Sequence, residues 1–343
     1  MTKVLISGAG VAGPALAYFL SDHCEVTVVE RAPEPRGGGY NVDFRGAAFD
    51  VLAELGIEER VRALDTKMRG TTLVDETGAM VAELPAEVFS GELEVPKADL
   101  TRLLHDITKD RAHYVFDESI TAIDGRHVEF ERRDKAEYDV VIGADGVWST
   151  VRRLAFDEQG LTHLGLSGVG FSLANHLGLD HKGMLWQHGG AAIYLYSSGD
   201  PRRMTVSMSF ATESPELDRC PRDEQEQAVR AAFAGHSWEI PGLLDAMSAA
   251  EDYYFGSTCQ IRLDRWSRGR VALLGDAGYC AAPTSGMGTS QALTAARSLA
   301  RHLIATDDHE AAFRAYEAEL RPYVTENQEK GRQAAQSLTA TPA

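Results

Sequence analysis

The sequence predicts an α/β protein: a parallel-sheet domain with an inserted antiparallel sheet, closed by a C-terminal helix. Three observations predict it. Strand-like apolar runs at Val4-Leu5-Ile6, Val140-Val141-Ile142 and Val271-Ala272-Leu273 each break into a glycine turn, as buried parallel strands do. From about Leu161 to Phe255, short strand-like runs alternate with Gly, Asp and Pro turns. The tail carries apolar side chains at helical spacing, Ala312, Phe313, Tyr316, Leu320 and Tyr323.

Composition sets the frame. A chain of 343 residues holds two domains, or one with an embedded second layer. With 44% apolar and 25% charged residues it buries a core, which excludes disorder over most of its length. A formal net charge of −17, with no local basic stripe, argues against nucleic acid as a partner. Cys24, Cys220, Cys259 and Cys280 have no metal-ligand or C-x-x-C spacing, which points to a reducing compartment without a disulfide framework or a metal site. Met1 leads directly into strand-like residues and no apolar run reaches bilayer length. The expectation is a cytoplasmic protein with no membrane partner.

The first element, Val4-Leu5-Ile6, runs into Gly8-Ala9-Gly10-Val11-Ala12-Gly13, then a helix through Leu20 and a second strand, Glu25–Glu30. This is a complete dinucleotide unit. Gly8 allows the tight turn, Gly10 lets backbone approach a pyrophosphate, and Gly13 lets helix and strand pack closely. The helix N-terminus, at Val11 and Ala12, offers free N–H groups to that pyrophosphate. Glu30 closes the second strand where a ribose diol is expected, with Arg31 beside it. A Pro/Gly-rich loop follows, and then a helix over Ala47–Leu55, so the doubly wound alternation stops early.

Two later segments repeat the device: Tyr138–Gly143 ending in Asp145-Gly146, and Arg270–Leu274 ending in Gly275-Asp276. The second continues through Pro283 and Gly286-Met287-Gly288-Thr289 into a helix expected from Gln291 to about Ile304. With these three motifs in this order, the chain resembles the group A flavoprotein monooxygenases of the para-hydroxybenzoate hydroxylase fold. The likeness is strongest to the branch containing tetracycline-inactivating and antibiotic-tailoring enzymes.

The resemblance implies a Rossmann-like FAD-binding domain of GR2 type over residues 1–70, 95–160 and 256–305. It implies a substrate domain over 71–94 and 161–255 and a C-terminal helix over 306–337. It implies FAD as cofactor, NADPH or NADH as a transient reductant, and O2 with a small aromatic or polyketide-like substrate as partners. The chemistry then lies on the flavin, through a C4a-hydroperoxide, so no protein residue is assigned as catalytic. Only one complete G-x-G-x-x-G is present, since Gly168-Val169-Gly170 lacks a third glycine, and this fits a nicotinamide donor that visits and leaves.

Residue by residue, the resemblance places Arg36 against the nicotinamide donor and Asp43 against the flavin, with Arg45 near either. Lys97 stands where the family commonly has Arg, keeping the charge but losing the bidentate fork. Asp145 and Asp276 serve the second and third motifs. Pro283 and Gly286–Gly288 let backbone lie against the ring system, and the helix from Thr289 directs its positive end at the flavin N1–C2 region. Tyr279 replaces a common His and receives no role.

In the middle region Met184–His188, Ala192–Tyr196 and Met204–Phe210 read as antiparallel strands over the flavin, with Gln187, His188, Tyr194 and Tyr196 as candidate substrate contacts. Gly235-His236-Ser237-Trp238-Glu239-Ile240-Pro241 departs from the halogenase motif by having His236 at its first Trp, and reads as a helix terminator. Pro322 is expected to kink the tail helix, and Ser337–Ala343 to fray. A monomer is expected, a homodimer being the other possibility. Three other readings stay open: a flavin reductase or dehydrogenase such as an isoprenoid saturase, a flavin-dependent halogenase using Lys67 or Lys97, and a non-enzymatic flavin scaffold.

Overall fold

A computed structural model describes residues 1–35, 40–88 and 91–339. In chain order the strands are β1 Thr2–Ser7, β2 Cys24–Glu30, β3 Asn41–Phe44, β4 Thr71–Val74, β5 Met80–Leu84, β6 Leu93–Pro96, β7 His113–Phe116, β8 Ile120–Asp124, β9 His127–Phe130, β10 Ala136–Glu137, β11 Val140–Gly143, β12 Leu161–Ala174, β13 Lys182–His188, β14 Ala191–Ser197, β15 Arg203–Ala211, β16 Tyr254–Ile261, β17 Ser267–Arg268 and β18 Val271–Leu273. The helices are α1 Ala12–Leu20, α2 Ala48–Glu54, α3 Glu58–Arg62, α4 Lys97–Asp106, α5 Thr150–Ala155, α6 Arg222–Ala232, α7 Ile240–Ala249, α8 Asp276–Tyr279, α9 Gly288–Ala305 and α10 His309–Thr339.

The first sheet has the order β17-β18-β11-β1-β2-β7 and is parallel except for the β17–β18 pair. Its central strands are apolar at every position, because both faces are covered: Val4, Leu5, Ile6, Val140, Val141 and Ile142 are all buried. They share one core with Leu16 and Leu20 of α1, Leu293 and Leu299 of α9, and Phe313 and Tyr316 of α10. The three strands that carry the glycine motifs lie side by side, β18–β11–β1, so segments far apart in the sequence end next to one another at the same end of the sheet.

The larger sheet, β16-β12-β15-β14-β13-β4-β5, is antiparallel except where β13 meets β4. Along β15, alternation separates two faces. Met204, Val206, Met208 and Phe210 sink into a second core with Val229 and Phe233 from α6 and its C-terminal end and Leu243 and Met247 of α7. Thr205, Ser207 and Ser209 point the other way, and Ser207 is exposed although β15 is an interior strand. The ribbon β3–β6 approaches that polar face: the Asn41 backbone of β3 lies near enough to the Tyr196 phenol on β14 to moderate its raised pKa.

Several expectations shift. The helix expected from Gln291 begins at Gly288, because the Ser285 hydroxyl accepts from the Met287 N–H and starts the turn earlier. The Trp238–Pro241 stretch opens a helix instead of ending one: Pro241 sits in the first turn of α7, where its missing N–H is not needed. The tail stays one helix through Pro322, and Ser337–Thr339 still belong to it. Gly168 and Gly170 lie within β12.

The tail helix is held by amides as well as apolar contacts. Gln328 donates to the Ile261 carbonyl at 2.7 Å, Asn327 to Gln291 at 3.0 Å, and Gln291 to the Tyr279 carbonyl at 3.0 Å. Thr284 donates to the Gly331 carbonyl at 2.8 Å, and a Cβ on Gly331 would stand 2.1 Å from the Ala281 oxygen. No helix among the described residues is long and apolar enough to cross a membrane.

Candidate functional site

The glycine turn after β1 is fixed by steric need. Gly8 has φ +111°, donates to the Val29 carbonyl at 2.7 Å, and passes so close to the second motif that a Cβ would meet the Ala144 oxygen at 2.4 Å. A Cβ on Gly13 would stand 1.9 Å from the Gly8 oxygen. Gly10 is different, with nothing within 4 Å of its Cβ position: the space beyond it is open. The N-terminus of α1, led by Val11, has no side-chain cap. Glu30 turns back on this loop, its two oxygens accepting from the N–H groups of Ala9 and Ala32 at 2.9 Å each. Arg31 is exposed at the strand end, and Arg36 lies outside the described residues.

At the second turn the carboxylate has a task the sequence did not reveal. Asp145 accepts from the N–H groups of Thr150 and Val151 at 2.7 and 3.1 Å and from the Ser149 hydroxyl, capping the short α5. These three bonds shape the turn and start the helix. Arg152, which sequence reasoning passed over, is buried and bridges the second and third motifs. It donates to the Val147 carbonyl at 2.5 Å and the Ala277 carbonyl at 2.6 Å.

The third turn completes a cradle. Gly275 has φ +65° and lies beside Ala12 of α1 and Ala292 of α9. Asp276 is open to solvent, yet enough protein crowds it to raise its carboxyl pKa, opposed by the Lys97 charge and the Cys280 thiol. It is thus the floor of a cleft. Lys97 donates to the Tyr40 hydroxyl and lies 4.7 Å from that ring's centroid, and the Tyr40 and Tyr254 rings are 5.8 Å apart. Further along, Asp43 accepts from the Gly91 N–H at 2.9 Å and stands 3.8 Å from Arg45. The Arg45 N–H donates to Ser290 in the first turn of α9, and the Asp43 and Arg45 side chains lie against the Cβ-free face of Gly286. Met287 and Thr289 are buried, Pro283 is exposed, and α9 lacks a side-chain cap.

Across the cleft lies the polar face of the antiparallel sheet. Register places Tyr196 opposite Gly183 and Tyr194 opposite Leu185, and the two tyrosine rings stack at 5.2 Å. Gly183 is required, since a Cβ there would stand 2.5 Å from the Tyr194 ring. Burial raises the phenol pKa of Tyr194 to about 12 and that of Tyr196 further, with the Glu94 charge adding to both. Of the other two candidates, register keeps Gln187 on the tyrosine face, in line with Gly183 and Leu185, and turns His188 away from it. Gln187 and His188 are exposed at the end of β13; His188 pairs with Glu76 at 2.7 Å and lies 5.1 Å from the His236 ring. His188 alternates with Gln187 onto the face of Trp186, which belongs to the helix-covered core, so it cannot join the tyrosines.

These features fit FAD. An open glycine edge and two uncapped helix N-termini suit a pyrophosphate and an electron-rich ring edge, while Asp276, Asp43 and Lys97 offer acceptors and a cation along the same cleft. Among the described residues, no group of three or more His, Cys, Asp or Glu is placed to hold a metal. A hollow of about 890 Å³ beside β17 and α10, lined by residues including Arg268, Arg314 and Glu317, contains none of the motif residues.

Comparison with known proteins agrees with this geometry. The profile of a family described as FAD binding domain matches residues 1–331. The chain is 39% identical to an uncharacterised protein of Mycobacterium tuberculosis, covering 96% of this chain and 92% of that one. It is 36% identical to a flavin-dependent monooxygenase of an unknown prokaryotic organism, covering 98% and 90%. Among solved structures it is similar to the tetracycline destructase Tet(55), with a TM-score of 0.91 and 34% identity over 100% of this chain and 92% of that one.

Proposed function

The chain belongs to the FAD-binding-domain family and is an FAD-dependent monooxygenase; from that premise we propose that it uses NADPH or NADH and O2 to hydroxylate or otherwise oxidise an aromatic or polyketide-like small molecule. A tetracycline is the first substrate to try, since solved destructases of that class are 34% identical to this chain. One observation carries the reading. Asp43, which lies against Gly286, is near enough for its charge to act on Tyr194, and the register partner of Tyr194, Ser207, is exposed on the same sheet face, so a planar substrate has a place there beside the cofactor edge.

When bound, FAD supplies the two-electron chemistry that activates O2 for transfer of one oxygen atom. The protein holds and orients. The N-termini of α1 and α9 and the side chains of Asp43, Lys97 and Asp276 hold the cofactor, with Arg36 and Arg45 proposed to meet the nicotinamide donor. The stacked tyrosines and the Ser207 floor position the substrate and displace water from it.

The test is turnover of tetracycline and a panel of aromatic polyketides under 18O2 with each nicotinamide donor, read by mass spectrometry. Incorporation of one labelled oxygen coupled to donor oxidation supports the reading. Substrate-dependent redox change without label would favour a dehydrogenase or reductase. Asp276→Ala is expected to lower FAD occupancy of the purified protein, visible as a fall in the ratio of flavin to protein absorbance.

A further inference from the structure

Glu94 is a half-buried titratable side chain that the reading above leaves unused. It lies on β6, where Leu93 and Val95 turn into the parallel-sheet core and alternation turns Glu94 the other way, toward the antiparallel sheet. Its neighbours there are Tyr194 and Tyr196, whose phenols both feel its charge. One carboxylate oxygen is fully used: Oε1 accepts from Asn41 Nδ2 at 2.7 Å and from the Thr66 hydroxyl at 2.9 Å. The other, Oε2, has no hydrogen-bond partner among the described residues. Two donors thus fix the orientation of a carboxylate whose second oxygen is used by none of the described residues.

We propose that Glu94 receives the proton of a substrate hydroxyl, and therefore that the substrate carries an acidic phenol or enol. This rests on the monooxygenase reading above. The substrate O–H donates to Oε2; as the ring reacts, that O–H bond breaks, the Oε2–H bond forms, and the electron pair stays on the substrate oxygen. Electron density released into the ring favours attack on an electrophilic oxygen. Glu94 is then a catalytic residue, and Asn41 and Thr66 are positioning residues that keep its free oxygen turned to the cleft.

The electrostatics suit the task. Desolvation, with Asp43 opposite on β3 and Asp65 nearby, raises the Glu94 pKa to about 6, against the two hydrogen bonds from Asn41 and Thr66. Asp43 is itself raised by burial and moderated by Arg45. The charged and titratable groups facing Glu94 are thus Asp43, Asp65, Tyr194 and Tyr196, with Arg45 behind Asp43. A carboxylate held near 6 is ionised at neutral pH and is a stronger acceptor than an ordinary one.

The experiment measures tetracycline affinity on the oxidised FAD-loaded enzyme, by flavin fluorescence without reductant, from pH 5 to 8, for wild type and Glu94→Gln. In the variant the side-chain oxygen would satisfy Asn41 and Thr66, leaving an NH2 donor where the acceptor stood. The expected result is wild-type affinity that falls as pH drops through about 6, and a variant that binds roughly tenfold or more weakly with that pH step gone. Full flavin occupancy in the variant separates this from unfolding. Equal affinity and an unchanged pH profile would overturn the assignment to Glu94 while leaving the monooxygenase reading intact. If wild type neither binds tetracycline nor transfers 18O to any hydroxylated aromatic, the functional reading fails and takes this one with it.

Discussion

The two walls of the cleft are built to meet a ligand by different means: on the reading proposed above, one would bind the cofactor and the other the substrate. The edge of the parallel sheet works mostly through backbone: glycine turns that leave room, helix ends that present N–H groups, and a few carboxylates. The facing wall works through side chains on alternate positions of β13, β14 and β15, with Glu94 reaching in from the ribbon β3–β6. Backbone recognition needs particular residues at fixed spacing, because no other residue tolerates the geometry, and so it leaves a motif. Side-chain recognition needs only that the right residue fall on the right face, and so it leaves none. Functional diversity within one fold can therefore sit on the second wall while the first stays constant.

The contrast can be broken most severely at Gly13. With the Gly8 oxygen 1.9 Å from its Cβ position, Gly13→Ala is expected to cost on the order of 3 kcal/mol and to abolish FAD retention. Gly10→Ala, which meets no protein atom within 4 Å, should keep the melting temperature of the apoprotein and lose FAD affinity alone. Equal thermal loss in both would show that the edge is built for packing and not for a ligand.

A smaller effect is expected on the opposite wall. Ser207→Phe fills the exposed floor without touching the second core, because Ser207 alternates with the buried Val206 and Met208. The variant should keep its flavin spectrum and melting temperature while substrate-stimulated oxidation of the nicotinamide donor falls about tenfold or more. Loss of flavin with it would mean that the walls are not separable.

The subtlest test is thermodynamic. The Glu94 pKa is raised by folding, from 4.5 to about 6, so its contribution favours the native state below the lower value and is lost as pH rises through the upper one. Glu94→Gln should therefore stabilise the protein at pH 8 by about 1–2 kcal/mol and change little below pH 4.5, read from denaturant melts at each pH. A group that costs stability at neutral pH is what a functional carboxylate looks like. A variant destabilised at pH 8 would mark Glu94 as structural.

The sequence by itself determined the parallel sheet, the order of its motifs and the glycines Gly8, Gly13 and Gly286 at their turns, because steric exclusion acts over a few consecutive residues, whereas Asp43 and Lys97 were singled out only by the family resemblance. It also made the antiparallel strands visible from their alternation, and Tyr194 and Tyr196 as candidates. Only the tertiary structure decided which face each strand turned to the cleft. It kept Gln187 on the face of the tyrosines and turned His188 away from it, set Asp145 at a helix cap, and brought Glu94, Arg152 and the amides Gln291, Asn327 and Gln328 into play. Those assignments depend on strand register and on side chains far apart along the chain. A one-residue change of register exchanges the two faces of a strand, and nothing local in the sequence records which face was chosen.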